Sequence, residues 1–282
     1  GSAITGSKER MAKMQNSAMH YFQRPDVSHV SLDSNATSLS GFSGRVLVNK
    51  QKGNWVFNSA LGTVSPGFNI NDVGFMFRND LINGHIGGGY KWTKPNFLAR
   101  NIWLIGARFQ SYDYSKNKIG DGYFGLAEFV LHNYNYLLFR LFHNRDRYDN
   151  RATRGGPLAL EPGGTMSQFT WRSDTRKPVV LSLGGGYYSS YAIRDTEGFL
   201  EAEVEWKPRP NLNVSVGPQL SIEDEYSQYV DQVEDATAQH TFGKRYIFGR
   251  LDYTQLSANI RLNWTFTPKL SLQLYLQPLL SH

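Results

Sequence analysis

Few side chains in this sequence are spaced for chemistry. Glu201, Glu203 and Glu205 alternate with apolar residues in one short run, a grouping that elsewhere holds a metal ion or divides acid and base work. On a strand, alternate side chains leave one face about 7 Å apart. No histidine or thiolate accompanies these three, so neither a metal site nor an acid–base pair is expected. His20, His29, His85, His132, His143, His240 and His282 are dispersed, without the close or helical spacing of zinc ligands. The triplets Gly87–Gly89 and Gly184–Gly186 neither open a helix nor carry the lysine of a phosphate loop. In a strand, glycine instead lets a sheet bend sharply or another segment approach. No nucleophile elbow and no serine–histidine–aspartate series stands out, and a hydrolase would need a serine beside a histidine such as His143 at one rim. The residues point to a protein that is not an enzyme and takes no cofactor and no metal.

Bulk composition narrows the class further. The net charge is +6, but the basic residues form no stripe interleaved with stacking aromatics, which argues against nucleic acid as a partner. The absence of cysteine removes any disulfide framework and is compatible with an exported bacterial protein. Aromatic residues make up 14% and hydrophobic residues only 40%, a balance that suits a half-buried sheet better than packed helices. The most apolar stretch, Tyr123 to Phe142, is interrupted by Glu128, His132, Asn133, Asn135 and Arg140, so no helical membrane span is expected.

Strands must therefore position whatever function there is. Ala258, Ile260, Leu262, Trp264 and Phe266 alternate with polar residues, and after Thr267-Pro268-Lys269 the alternation resumes in Leu270, Leu272, Leu274 and Leu276. Leu200, Ala202, Val204 and Trp206 lead through Lys207–Asn211 into Leu212, Val214, Val216, Leu220 and Ile222, a length that fits a tilted membrane strand. Short turns are placed at 50–54, 93–97, 132–135, 173–178, 207–211 and 267–269, and longer loops at 62–74, 111–121, 143–164, 189–196 and 223–253. Short and long connections alternate, as in outer-membrane barrels. One all-β domain over 1–282 is expected: an antiparallel transmembrane outer-membrane β-barrel with about 12–14 strands in this chain. Residues 1–16 form a turn or disordered lead-in, and a further strand is placed near Ser17–Phe22.

Trp55, Trp92, Trp171, Trp206 and Trp264 lie beside short turns and share the parity of the apolar face. An indole has a large apolar ring and one N–H donor, so these five are expected to form an aromatic girdle at one membrane boundary. Arg45, Lys91, Arg100, Arg108, Arg140, Glu201, Glu203, Glu205 and Arg261 are assigned to the opposite, lumen-lining face, where opposite charges pair across strands. A soluble β-sandwich that binds carbohydrate would keep the same alternation but bury the apolar face in a shared core.

Several segments resemble an uncharacterised family of Bacteroidota outer-membrane proteins, domain of unknown function 5916. They are Tyr21-Phe22-Gln23-Arg24-Pro25-Asp26, Ser65-Pro66-Gly67-Phe68, Asn71-Asp72-Val73-Gly74-Phe75, Thr153-Arg154-Gly155-Gly156-Pro157-Leu158, Phe242–Tyr246, and Asn263–Pro268 with Ser271–Tyr275. The resemblance implies a membrane barrel that, in full-length members, follows a domain similar to a family 9 carbohydrate-binding module. The chain stops at Leu280-Ser281-His282 without a terminal aromatic, so it is expected to be part of a larger barrel. The expected function is a pore or surface platform for glycan-related uptake or export in the outer membrane of a Gram-negative bacterium. Its partners would be lipid, glycans or other outer-membrane subunits, and the alternative is a plugged scaffold in a larger complex.

Overall fold

The structure, a computed structural model, describes residues 1–282. An N-terminal unit comes first: β1 (Ser2–Thr5), α1 (Lys8–Gln15) and β2 (Ser38–Gly41), with β1 and β2 paired antiparallel. Ser7 caps α1 by accepting from the Arg10 amide, and Glu9 and Lys13 suit the ends of its dipole. The first residues are thus ordered structure, where a turn or disordered lead-in is the sequence expectation. Residues 17–22 form turns after α1 and not a strand.

The rest is one large antiparallel sheet. Its first strands are β3 (Ser43–Lys50), β4 (Trp55–Val64), β5 (Leu81–Trp92), β6 (Asn101–Tyr112), β7 (Lys118–Val130) and β8 (Tyr136–Asn144). The small hairpin β9 (Arg147–Asp149) and β10 (Ala159–Glu161) stands apart. The sheet continues with β11 (Gly164–Arg172), β12 (Val179–Ser190), β13 (Thr196–Arg209), β14 (Leu212–Glu234), β15 (Lys244–Thr267), β16 (Leu270–Leu276) and β17 (Leu279–Ser281). Each strand pairs with its neighbour in sequence, β8 meets β11 across the hairpin, and β16 and β17 both pair β15. Pro278 breaks that last edge strand, since it has no amide to donate. β3 and β16 are not bonded to each other.

Short turns gather at one end of the sheet near the expected positions. The other end departs from expectation in one respect. Residues 223–253, read as a loop, instead prolong β14 and β15 to 23 and 24 residues as a two-stranded ribbon. Its polar residues, among them Asp224, Gln228, Asp231 and Gln232, are carried by backbone pairing that shifts register twice, between Glu225 and Gln228 and between Tyr229 and Asp231.

Directly opposed residues of antiparallel strands share a face. One unbroken row therefore crosses the sheet through Tyr90, Leu104, Ala127, Phe139, Phe169, Gly185, Leu200, Leu220 and Leu256. The row one residue away runs Lys91, Trp103, Glu128, Leu138, Thr170, Gly184, Glu201, Gln219 and Ser257. The apolar row is exposed: Leu200 by 51% and Leu256 by 52%. Ala60, Leu138, Val180, Ser215 and Ser257, all on the other face, are buried. A single layer buries one face only by curling around it. Gly87, Gly89, Gly184 and Gly186 lie on that inner face, and a Cβ at Gly89 would meet the Leu104 carbonyl oxygen at 2.0 Å, so glycine permits the close approach.

Burial is inverted relative to a water-soluble core. The buried residues include only eight hydrophobic side chains, whereas the polar and charged ones include Gln15, His20, Arg24, Asn79, Asp80, Asp113 and Asp121. No helix is long and apolar enough to cross a membrane.

Candidate functional site

The concave face carries most of the charged residues singled out by strand parity. Arg45, Lys91, Arg140, Glu201, Glu203, Glu205 and Arg261 share it by register. Glu201, Glu203 and Arg261 meet Arg172 and Asn259 around one cavity of about 320 Å³. Glu205 accepts from Asn213 Nδ2 at 2.7 Å and pairs with Lys207 at 2.9 Å. The Lys91 ammonium lies 3.9 Å above the Trp103 ring, and Arg261 stacks on Tyr275. Arg45 lies apart and exposed on the edge strand β3.

Two residues fall elsewhere. Arg108 pairs with Ile86 and Tyr123 on the outer face, and Arg100 precedes β6 and stacks on Tyr134 at 4.3 Å in the turn region. Parity counted along β6 separates these two from Lys91, because Lys91 opposes Trp103 and not an even-numbered residue of β6. The five residues Trp55, Trp92, Trp171, Trp206 and Trp264 share the outer face, each close to the short-turn end of its strand. Trp103 alone faces inward.

At the loop end the N-terminal segment docks on the connections that precede β5 and follow β6. Arg24, 2% exposed, meets three carboxylates from three parts of the chain: Asp26 at 3.0 Å, Asp113 at 3.5 Å and Asp80 at 3.7 Å. Asp26 accepts the Leu158 amide at 3.0 Å, tying the segment to the connection between β9 and β10. Arg151 reaches back to the Ala18 and Met19 carbonyls at 2.8 and 3.0 Å, and Arg154 stacks on Tyr229 of β14 at 4.5 Å. Burial and the neighbouring Arg78 lower the Arg151 pKa to about 10.

His20 and His29 anchor the same segment. His20 Nδ1 lies 2.9 Å from the Pro66 carbonyl oxygen and against Asn79 Nδ2, and Nε2 lies 3.3 Å from Asn69 Nδ2. Burial, with Arg151 nearby, lowers its pKa below the ordinary value although the Pro66 contact opposes this. His29 bridges Ser115 Oγ at 2.7 Å and Asp80 at 2.9 Å. Burial pushes the Asp80 carboxyl up, but bonds from His29 and the Tyr114 amide, with Arg24, outweigh that and hold it below the ordinary range.

Ser115, His29 and Asp80 together make a serine–histidine–aspartate series. Asp80 is also committed to Arg24 and the Tyr114 amide, and the larger cavities lie elsewhere. The series therefore reads as a latch. His143 bonds only Thr165 and Tyr191, on the outer face.

The largest cavity, about 1100 Å³, lies under the β9–β10 hairpin. Its lining includes Arg147, Arg151 and Arg154, the carboxylates of Glu161, Asp195 and Glu223, and Tyr188, Tyr226 and Tyr229. Burial raises the Glu161 pKa there against the pull of Arg147.

A family model described as a domain of unknown function, DUF5916, matches residues 2–281. The chain belongs to that family. No curated protein and no solved structure matches it. In this DUF5916 chain, the resembling segments Tyr21–Asp26, Ser65–Phe68 and Thr153–Leu158 converge on the buried latch, through Arg24, Pro66 and Leu158. Sequence reading missed this cluster. Its members lie up to 132 residues apart, so spacing carried no signal. The one sequence trace of Arg24 and Asp26 was their place inside a family-like segment.

Proposed function

We propose that this chain forms the wall of a β-barrel in a bacterial outer membrane, with its loop-end interior blocked by its own N-terminal segment and β9–β10 hairpin. It then acts as a plugged scaffold or gated conduit. The observation that carries this is the exposed apolar band. On β13, β14 and β15 it runs from Trp206 to Leu200, Val214 to Ile222 and Trp264 to Leu256, and gives way to Asp224 and Asp252 beyond. Such a band matches the roughly 9–11 residues with which a tilted strand crosses a bilayer. In water it would expose far more contiguous apolar surface than soluble monomers tolerate. The polar concave face, where Lys91, Arg140, Glu201, Glu203 and Arg261 stand, then needs water, and Glu205 is matched by Lys207.

A bilayer tolerates no open sheet edge, because each unpaired amide or carbonyl there costs several kcal/mol. The edges of β3 and β16 must therefore be satisfied in the membrane, by one another or by further strands.

Brominated phospholipids test the orientation. Lipid-borne bromine should quench Trp55, Trp171, Trp206 and Trp264 while leaving Trp103 bright in a variant that retains it alone. Equal quenching of Trp103 would overturn the assignment of faces. In planar bilayers the intact protein should conduct weakly, and removal of residues 1–37 should raise conductance; a large, steady conductance of the intact protein would favour an open pore.

A platform for glycans is the second reading, favoured by Tyr188, Tyr226 and Tyr229 beside carboxylates in the large cavity. Soluble oligosaccharides should then quench tyrosine emission in the wild type and not in Tyr226→Ala. As a non-enzyme, the protein should leave Ser115 unlabelled by fluorophosphonate probes.

A further inference from the structure

Beyond the apolar band, the outer face of β6, β7 and β8 carries a charge cluster that the sheet does not require. Lys118 Nζ lies 2.8 Å and Arg145 Nη1 3.9 Å from Asp121 Oδ2, and Arg108 pairs with Oδ1 of the same carboxylate. Register places the group outward, since Arg108 opposes Tyr123, Gln110 opposes Asp121, and Tyr112 opposes Lys118. Three cations around one carboxylate leave an excess of two positive charges, and the Asp121 side chain is itself only 1% exposed.

The members differ in what remains free. Arg108 is held against the sheet: Nη1 donates to the Phe109 and Gly122 carbonyls at 2.6 and 2.7 Å, and its plane lies over Tyr123 at 4.6 Å. Lys118 and Arg145 are 35% and 55% exposed, and each reaches Asp121 Oδ2 through one nitrogen, so further N–H donors of both are left for a ligand. Arg108 stands six residues along β6 from Ile102, which faces the tryptophan rim. At about 3.3 Å per residue that is about 20 Å, the far edge of the apolar band. Tyr123, His143 and Tyr191 stack beside it, with ring centroids 6.1 and 5.7 Å apart in turn, as amphipathic rings do at a headgroup boundary.

We propose that Lys118 and Arg145, set on the Arg108–Asp121 pair, bind the phosphate monoester of a lipid headgroup in the leaflet facing the long loops. A phosphate monoester carries about −1.5 to −2 charge at neutral pH, which matches the excess. Guanidinium and ammonium donors bond phosphate oxygens strongly where water is scarce. The proposal rests on the membrane reading above.

The test uses the full chain inserted in phosphatidylcholine vesicles with equal minor fractions of phosphatidic acid, a monoester, and phosphatidylglycerol, a singly charged diester. Lipid retained after detergent extraction is measured by mass spectrometry. Phosphatidic acid should be retained about tenfold over phosphatidylglycerol, and a Lys118→Gln/Arg145→Gln variant should lose that preference. Equal retention of the two lipids would overturn the site, and displacement by millimolar inorganic phosphate would reassign it to a free anion. Should the double variant fail to insert, Arg145→Gln alone serves, because that side chain is half exposed and 3.9 Å from its carboxylate. Bromolipid quenching of the tryptophans is read in the same samples. Quenching without lipid preference sinks only this proposal, whereas no quenching sinks the membrane reading.

Discussion

Arg24 holds the N-terminal segment in place through Asp26, Asp80 and Asp113. Removing one partner of a buried ion network leaves charges without compensation and costs about 3–5 kcal/mol. Arg24→Ala should therefore release the segment, seen as faster tryptic cleavage at Lys8, Arg10 and Lys13 with strand content unchanged. Acid should act in the same direction. His20 is depressed in the docked state, so the undocked chain binds more protons once pH falls through the ordinary histidine value, and docking weakens there. Asp80 is also depressed; its contribution is complete above the ordinary aspartate value and is lost as pH falls through the lowered one. The protection factors of residues 17–30, with the intrinsic pH dependence of exchange divided out, should fall below about pH 6.5 and again below about pH 4.

Among the elements, β2 and the connection after β4 approach so closely that only glycine fits. A Cβ on Gly67 would lie 2.2 Å from the Ser40 carbonyl oxygen, and one on Gly41 the same distance from the Phe68 amide nitrogen. Gly67→Ala should undock β1 and β2 while the large sheet persists, detectable as protease sensitivity confined to residues 1–42. The long strands β14 and β15 were only half legible. Their apolar halves, Leu212–Ile222 and Ala258–Phe266, announced themselves by alternation, but the polar ribbon beyond gave no such signal. Backbone pairing sustains it together with cross-strand contacts such as Arg250 with Asp224 at 2.6 Å, Lys244 with Glu234 at 3.2 Å and Tyr229 against Phe248, which need no apolar face. Arg108 was misassigned for a related reason, since parity within one strand says nothing about a neighbour until the register is known.

For the assembled sheet, the sharpest test contrasts water with lipid. Val216 is 43% exposed on the outer face, so in a soluble protein Val216→Lys would change stability by no more than about 0.5 kcal/mol. Within a bilayer, lysine at mid-depth of the lipid face costs about 2–4 kcal/mol. Folding into vesicles, followed by urea titration, should show the larger loss, and near neutrality would count against the band. Neither curvature nor the buried latch follows from alternation. Both depend on contacts between residues far apart in the chain, such as Arg24 with Asp113 and Gly156 with Tyr246.

Alternating side chains, turn residues and the five tryptophans beside short turns sufficed to specify antiparallel strands with one apolar face, because a strand's period is local and repeats every second residue. Register, concavity, the docking of the N-terminal segment and the gathering of Asp121 with three cations were decided only by tertiary structure. Each requires a particular residue of one strand to stand opposite a particular residue of another, and the local period is the same for every such alignment that keeps the faces matched.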